Sequence, residues 1–389
     1  MPINILHPGV YVQELSSGFR TIAGVNTSIA MFVGRTGKGK ILEPVLCTNL
    51  SDFEREFSMD SSHSELPQQV KLFYENGGSI CYIIRIVTST EEHLSGDPSE
   101  ICNYNNAFEI IEKEVDIFNL LVLPKDKGDN PTRINNIWSK ASVFCKKQRA
   151  FLLIDAPDWE TTQEAIDEIN NLRIGLEKDY CAIFFPKILV HENGIEHEIG
   201  LSGAIAGLIA RIDTSNGVWK APAGNNAEIR GVSGLNIQMT DIEYGLLNKK
   251  AINNIRSFSN GIFCWGARTL EGDDDFQSEY KYIPVRRLAL FIEESIYRGL
   301  KWAVFEPNDE SLWAQIRLNV RAFMNDLFRE GAFQGQSPRD AFLVKCDKET
   351  TNQNDINLGI VNIRVGFAPL KPAEFIIISI QQIAGQVQA

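Results

Sequence analysis

The chain has 389 residues, 44% of them hydrophobic and 23% charged, with a formal net charge of −12. That length provides for roughly two to three domains with packed cores, and the composition excludes a disordered or fibrous chain. The acidic balance argues against a nucleic-acid partner, because phosphate binding rests on a basic surface.

In chain order, the start Met1-Pro-Ile-Asn-Ile-Leu6 lacks the basic and apolar regions of a signal peptide, and no apolar run is long enough to cross a bilayer. Pro8-Gly-Val-Tyr-Val-Gln-Glu-Leu15 reads as a short extended segment centred on Val10, Tyr11 and Val12. Residues 28–34 form a strand that ends in a Gly-rich turn, residues 65–76 a helix closed by Gly77-Gly78, and residues 79–87 a second strand. The composition turns polar over residues 89–106, which marks a boundary. Strands at 118–124, 150–155 and 180–186 then alternate with helices at 133–147 and 161–172, the pattern of a largely parallel α/β sheet with helices on its faces.

From about Tyr280 the pattern becomes α+β. A helix over 285–301 stacks Leu288, Ile292 and Ile296; the next, over 308–330, is capped by Asn308 or Ser311, buries Leu312, Ile316, Val320, Phe323 and Leu327, and ends at Gly331. Strands follow at 342–346 and 360–367. The last segment, with Phe375, Ile376, Ile377, Ile378 and Ile380 in one run, reads as a strand buried on both faces. Chain ends fray unless tied down, so two adhesive termini point to strand addition on neighbouring copies. The chain divides into an N-terminal arm (1–22), an N-terminal segment packing on the core (23–95), an α/β domain (96–275), an α+β domain (276–370) and a C-terminal arm (371–389).

Few residue patterns suggest chemistry. Gly34-Arg-Thr-Gly-Lys-Gly-Lys40 satisfies the first part of a phosphate-binding loop, but Ile41 replaces the metal-binding hydroxyl and Ile41-Leu-Glu-Pro44 cannot start the required helix. His191 and His197 among Glu192, Glu196 and Glu198 match no metal-ligand spacing and read as a solvated turn at Asn193-Gly194; Glu271-Gly-Asp-Asp-Asp275 reads as a mobile acidic loop. Asp155 ends a strand, a position for a catalytic acid, yet Gly200-Leu-Ser-Gly203 is no nucleophile elbow and no histidine is tied to it. The seven dispersed cysteines lack any CxxC and read as reduced core residues. Trp219, Trp265 and Trp302 are core residues or interface anchors. Arg317, Arg321 and Arg329 fall in one column of the 308–330 helix, either a grip on a partner or a solvated face.

Collinear fragments carry a resemblance: Pro8-Gly-Val-Tyr-Val-Gln-Glu14, Glu75-Asn-Gly-Gly78, Arg149-Ala-Phe-Leu-Leu-Ile-Asp155, Gly217-Val-Trp-Lys-Ala-Pro-Ala-Gly224, Ile255-Arg-Ser-Phe258, Trp265-Gly-Ala-Arg-Thr-Leu270, Phe291-Ile-Glu-Glu-Ser295, Phe305-Glu-Pro-Asn308, Val344-Lys-Cys-Asp347 and Lys371-Pro-Ala-Glu-Phe375. In this order they resemble the tail sheath proteins of contractile phage tails, R-type bacteriocins and extracellular contractile injection systems. The resemblance implies a middle domain of subtilisin-like α/β topology, an α+β C-terminal domain nearest an inner tube, and arms that add strands to neighbouring subunits. It further implies a non-enzymatic subunit without cofactor or metal, whose partners are itself, the inner tail tube protein, and baseplate and terminal cap proteins, with no nucleic acid and no membrane insertion. Assembly is expected in the bacterial cytoplasm, in a phage tail or a phage-tail-like particle released from the cell. Two alternatives stand beside it: a hydrolase or nucleotide-binding enzyme on the α/β domain, and a closed-ring scaffold.

Overall fold

A computed structural model of the protein describes residues 21–62, 64–87, 100–126, 131–192 and 194–375. The described residues form two compact units, residues 26–293 with 369–375 and residues 21–25 with 294–368.

The larger unit is built on β1 (Ala30–Gly34), β2 (Val45–Cys47), α1 (Leu50–Phe57), α2 (Leu66–Glu75), β3 (Cys81–Arg85), α3 (Glu100–Glu114), β4 (Leu120–Val122), α4 (Pro131–Gln148), β5 (Phe151–Asp155), α5 (Thr162–Leu172), β6 (Cys181–Phe185), β7 (Ile188–Glu192), β8 (Ile195–Ile199), α6 (Ser202–Asn216), β9 (Gly234–Leu235), α7 (Asp241–Lys249), β10 (Ile252–Phe258), β11 (Gly261–Cys264) and α8 (Ile283–Gly299), whose last residues belong to the smaller unit. Eight strands make one sheet in the order β11-β10-β6-β5-β4-β1-β3-β2. The six inner strands are parallel; β2 and β11 pair antiparallel at the two edges. From β1 the chain first steps outward to β3, then returns to β4 and proceeds the other way, so the sheet is doubly wound with its switch between β1 and β4.

The alternation of side chains in β1 explains the layers. Ala30 and Phe32 point into a cluster with Phe53, Val70, Phe73, Ile205 and Leu208 from α1, α2 and α6. Met31 and Val33 point into the opposite one with Phe108, Ile111, Trp138, Ala165, Ile169 and Leu247 from α3, α4, α5 and α7. β1, β5 and β6 are buried along their whole length. α6 lies against α2 because Gly203 and Gly207 have no side chain; a Cβ there would sit 2.3 Å from the Gln69 carbonyl oxygen and 2.2 Å from that of Phe73. Both sheet edges are blunted. β2 is three residues long, and the far side of β11 is bonded by residues 227–229, with Ile229 N–H to Ile262 O at 2.8 Å and Cys264 N–H to Ala227 O at 2.9 Å.

The smaller unit contains the end of α8, then α9 (Glu310–Arg329), α10 (Pro338–Ala341), β12 (Phe342–Lys345), α11 (Gln353–Asn357) and β13 (Arg364–Phe367). Asp309 caps α9, accepting from Leu312 N–H at 2.9 Å, and its buried face holds Leu312, Ile316, Val320, Phe323 and Leu327 as its periodicity requires. β12 and β13 form a two-stranded antiparallel sheet. Ile22 is buried beside Gly299, and Val25 N–H donates to Ser295 Oγ at 3.2 Å.

The end of the polar stretch, residues 100–106, belongs to α3, whose Ala107 and Ile111 are fully buried. Two expectations need correction. The strand expected over 360–367 is confined to Arg364–Phe367, since Asn352 nucleates α11 with a capping box just upstream. The acidic loop is no free chain: Asp273 is buried against Arg173 at 2.7 Å, Asp274 lies 2.8 Å from Arg268 and 2.6 Å from Lys281, and Asp275 lies 2.6 Å from Lys250. Four cations placed around three consecutive carboxylates hold the loop shut.

Candidate functional site

The position where an α/β sheet of this kind takes a ligand is the carboxyl end of its strands, opposite a helix amino terminus. Here that position is filled from within. The four amides that open α6 point at side chains of other elements: Gly200 N–H donates to Glu65 Oε2 at 2.8 Å, Leu201 and Ser202 N–H to Asp155 Oδ1 at 2.6 Å, and Gly203 N–H to Gln69 Oε1 at 2.9 Å. Asp155 stands at the end of β5 and Gln69 in the first turns of α2, so strand and helix each deliver one acceptor to α6. Gln69 Nε2 donates in turn to Asp155 Oδ2 at 2.8 Å. Two carboxyl groups thus occupy the site that the helix dipole would offer to an anion. Burial, and after it the Asp155 charge, push the Glu65 carboxyl up to about 7. Any side chain at Gly200 would collide with Asp155, 2.3 Å from its Cγ.

The same node accounts for the catalytic-looking pair of Asp155 and Ser202. The Ser202 hydroxyl lies 2.6 Å from both Asp155 Oδ2 and Gln69 Oε1, and Ser202 is wholly buried, so no substrate reaches its oxygen. The phosphate-loop fragment has the wrong polarity as well. Arg85 reaches into residues 34–40 and bonds the carbonyls of Thr36 and Gly39 at 3.2 and 2.8 Å, whereas a phosphate requires amides facing inward. The next helix begins only at Leu50. His191 and Glu196 face each other across the β7–β8 hairpin, 3.6 Å apart. Burial pushes the Cys264 thiol up to about 12 and the Cys346 thiol up to about 11, away from nucleophilic character.

The smaller unit presents a surface of another kind. Ala368 N–H bonds Ala341 O at 2.8 Å, which sets the ladder so that Val344 and Phe342 turn their backbone polar groups away from β13, and Val365 and Phe367 turn theirs away from β12. On the β12 side these groups are met by α9: Arg317 donates to Cys346 O, and Arg321 to Val344 O at 3.4 Å. On the β13 side no described residue bonds Val365 or Phe367, so among the described residues this edge is open. Leu343 on the outer face is exposed.

The expected site residues therefore separate. Of the arginine column, Arg317 also pairs with Glu310 at 3.2 Å, Arg321 lies over β12, and Arg329 is largely exposed with Asp326 3.6 Å away. Phe375 is exposed and lies near the end of the described chain. Val10, Tyr11, Val12, Ile376, Ile377, Ile378 and Ile380 lie outside the described residues. Trp265 is exposed and packs on Phe258 with ring centroids 4.9 Å apart. Sequence reasoning missed the partnership of Arg268 with Glu374, although each lies inside a fragment that carried the resemblance; pairing two fragments 106 residues apart takes coordinates.

Residues 101–270 match the profile of the phage tail sheath protein central domain, and residues 275–383 that of the phage tail sheath C-terminal domain. A putative prophage major tail sheath protein of Pseudomonas aeruginosa is 26% identical over 237 residues, which span 59% of this chain and 57% of that protein, less than two thirds of its length. Two solved assemblies align along nearly the whole chain. The helical sheath of the anti-feeding prophage (AFP) in its contracted state gives a TM-score of 0.79 at 27% identity, covering 96% of this chain and 99% of the other. The sheath complex of the extracellular contractile injection system PVC in its contracted state gives 0.77 at 28% identity, covering 98% and 99%. With sequence, fold and domain order in agreement, the chain belongs to the phage tail sheath family.

Proposed function

We propose that the protein is the structural, non-enzymatic subunit of a contractile sheath, which polymerises helically around an inner tail tube, docks on a baseplate and a terminal cap, and shortens to drive the tube through a target envelope. The observation that carries this reading is the end-to-end similarity to sheath chains of two injection systems. The open edge of β13 supports it physically: a two-stranded sheet is marginal by itself, and an arm from another copy, whether residues 10–12 or 375–380, supplies the missing strand. Donating an arm to a different surface on the next copy is a heterologous contact, which propagates into a helix rather than closing as a pair. Arms that stay joined while other contacts repack allow two packings of one folded subunit, the extended one metastable. Assembly in a bacterial cytoplasm, before release of the particle, fits the buried, unpaired thiols among the described residues.

Expression of the full chain followed by electron microscopy tests this. Open cylinders are expected, and deletion of residues 375–389 is expected to give a folded, soluble subunit that forms none. Discrete rings would favour the closed scaffold; turnover or saturable ATP binding would favour the enzyme. The grip on the tube is proposed for Arg317, Arg321 and Arg329. Because the first two also bond β12, the informative variant is Arg329→Glu beside Arg317→Glu with Arg321→Glu: both should weaken co-assembly with tubes, and unchanged assembly in both removes the arginines from the tube contact.

A further inference from the structure

We infer that Arg268 and Glu374 form the anchor at the root of the carboxy-terminal arm, fixing where and in which direction the arm leaves the larger unit. The inference rests on the sheath reading and names a positioning pair within it. Arg268 is fully buried, and the carbonyl and amide of its backbone are both clamped by Asn253 at 2.7 Å, so the guanidinium is held from its base. Its donors divide into two sets. Nη1 serves the larger unit itself, bonding Asn248 O at 2.9 Å, Gly272 O at 3.2 Å and Asp274 at 2.8 Å. Nε and Nη2 form a fork on the two oxygens of Glu374, Nε to Oε1 at 2.7 Å. A two-pronged contact of this type fixes direction as well as distance.

What the fork holds is otherwise little buried. Leu370 and Phe375 are exposed, and no residue in 369–375 is buried. A buried ion pair is weak evidence for stability, since desolvation opposes its attraction; its best-attested use is to specify one arrangement among several. Here the arrangement specified is that of the strand-donating segment immediately downstream. Without Glu374, two donors of a buried guanidinium lose their acceptor and the arm root is released, while the contacts of Nη1 persist. The acidic turn that contributes Asp274 is itself held by Lys281 and Arg173, so the anchor stands on a braced support.

The test compares two variants of the full chain. Glu374→Gln removes the charge from the arm root and keeps its shape; Asp274→Asn removes a carboxylate from the same guanidinium without touching the arm. Hydrogen exchange of the 369–375 peptide in the soluble subunit is read first, and should lose protection in Glu374→Gln only. Cylinder yield should then fall about tenfold or more in Glu374→Gln and stay near that of the unaltered chain in Asp274→Asn, with similar melting temperatures. Unchanged exchange and yield in Glu374→Gln would overturn the anchor, and so would equal losses in both variants, which would mean general loosening. If the unaltered chain forms no cylinders, the sheath reading fails, while the exchange result still decides the anchor.

Discussion

Of the three sheets among the described residues, the eight-stranded and the two-stranded one are finished to different degrees. In the eight-stranded sheet, β1, β5 and β6 are buried at every residue, both faces are covered by helices, and the helix terminus that could receive a ligand is filled by Glu65, Asp155 and Gln69. In the two-stranded sheet, β12 has a single buried residue, Val344, and β13 has none. One face of that sheet rests on α9, and around it Val304, Phe305, Leu343 and Leu358 stand in solvent, Phe305 completely and on a backbone with φ of 69°. A bulky side chain in that conformation is strained, and strain of this kind persists where the surroundings over-determine it. The contrast is one of closure: the large sheet is covered on both faces and at both edges, whereas β13 leaves the small sheet with an edge that no described residue bonds.

The largest expected effect lies in the finished unit. Asp155→Ala orphans Leu201 N–H, Ser202 N–H and the Gln69 amide together, and at about 1–3 kcal/mol for each unsatisfied buried donor the loss should reach about 3 kcal/mol or more in denaturant unfolding. A loss below about 1 kcal/mol would mean that the node is hydrated and the unit less closed than described. The next effect is a pH dependence from the same node. The Glu65 carboxyl is raised from 4.5 to about 7 in the folded chain, so the folded state binds the proton more tightly. Its contribution to stability is complete below about pH 4.5, declines as pH rises towards 7, and is gone above that. Glu65→Gln should remove this slope, and a difference curve between the two proteins that is flat over that interval would contradict it. The smallest effect on folding belongs to the unfinished unit. Leu343→Ser, at an exposed position, should alter unfolding by no more than about 0.5 kcal/mol yet lower the yield of cylinders. If it destabilised the isolated subunit as strongly as Asp155→Ala, the contrast between the two sheets would be lost.

This asymmetry also decides what could be read from sequence. β1, β5, β6 and α9 were legible because burial imposes its own periodicity: continuous apolar runs for strands covered on both faces, spacing of three and four for a helix covered on one. α3 and α6 were missed for opposite reasons. α3 follows a polar stretch and carries an uneven stripe, whereas α6 is buried nearly all round, so it shows no amphipathic period, and its first amides are capped by residues far away in sequence rather than by its own Ser or Thr. The acidic turn at Asp273–Asp275 looked solvated because its cations, Arg173, Lys250, Arg268 and Lys281, are scattered along the chain. The sites were less legible than the fold. Aligned arginines on α9 signal a charged stripe, but only the ladder register reveals that two of them cover the carbonyl side of β12.

The blunted borders of the large sheet bear on the interval between synthesis and assembly. In the proposed sheath, a subunit needed in many copies waits among its siblings at high local concentration, where a long bare strand would recruit the wrong neighbour. With β2 cut to three residues and β11 screened by residues 227–229, the extensive hydrophobic strands cannot seed such growth. The border of β13 is by contrast short and weak, and a weak border lets a misplaced copy dissociate and try again.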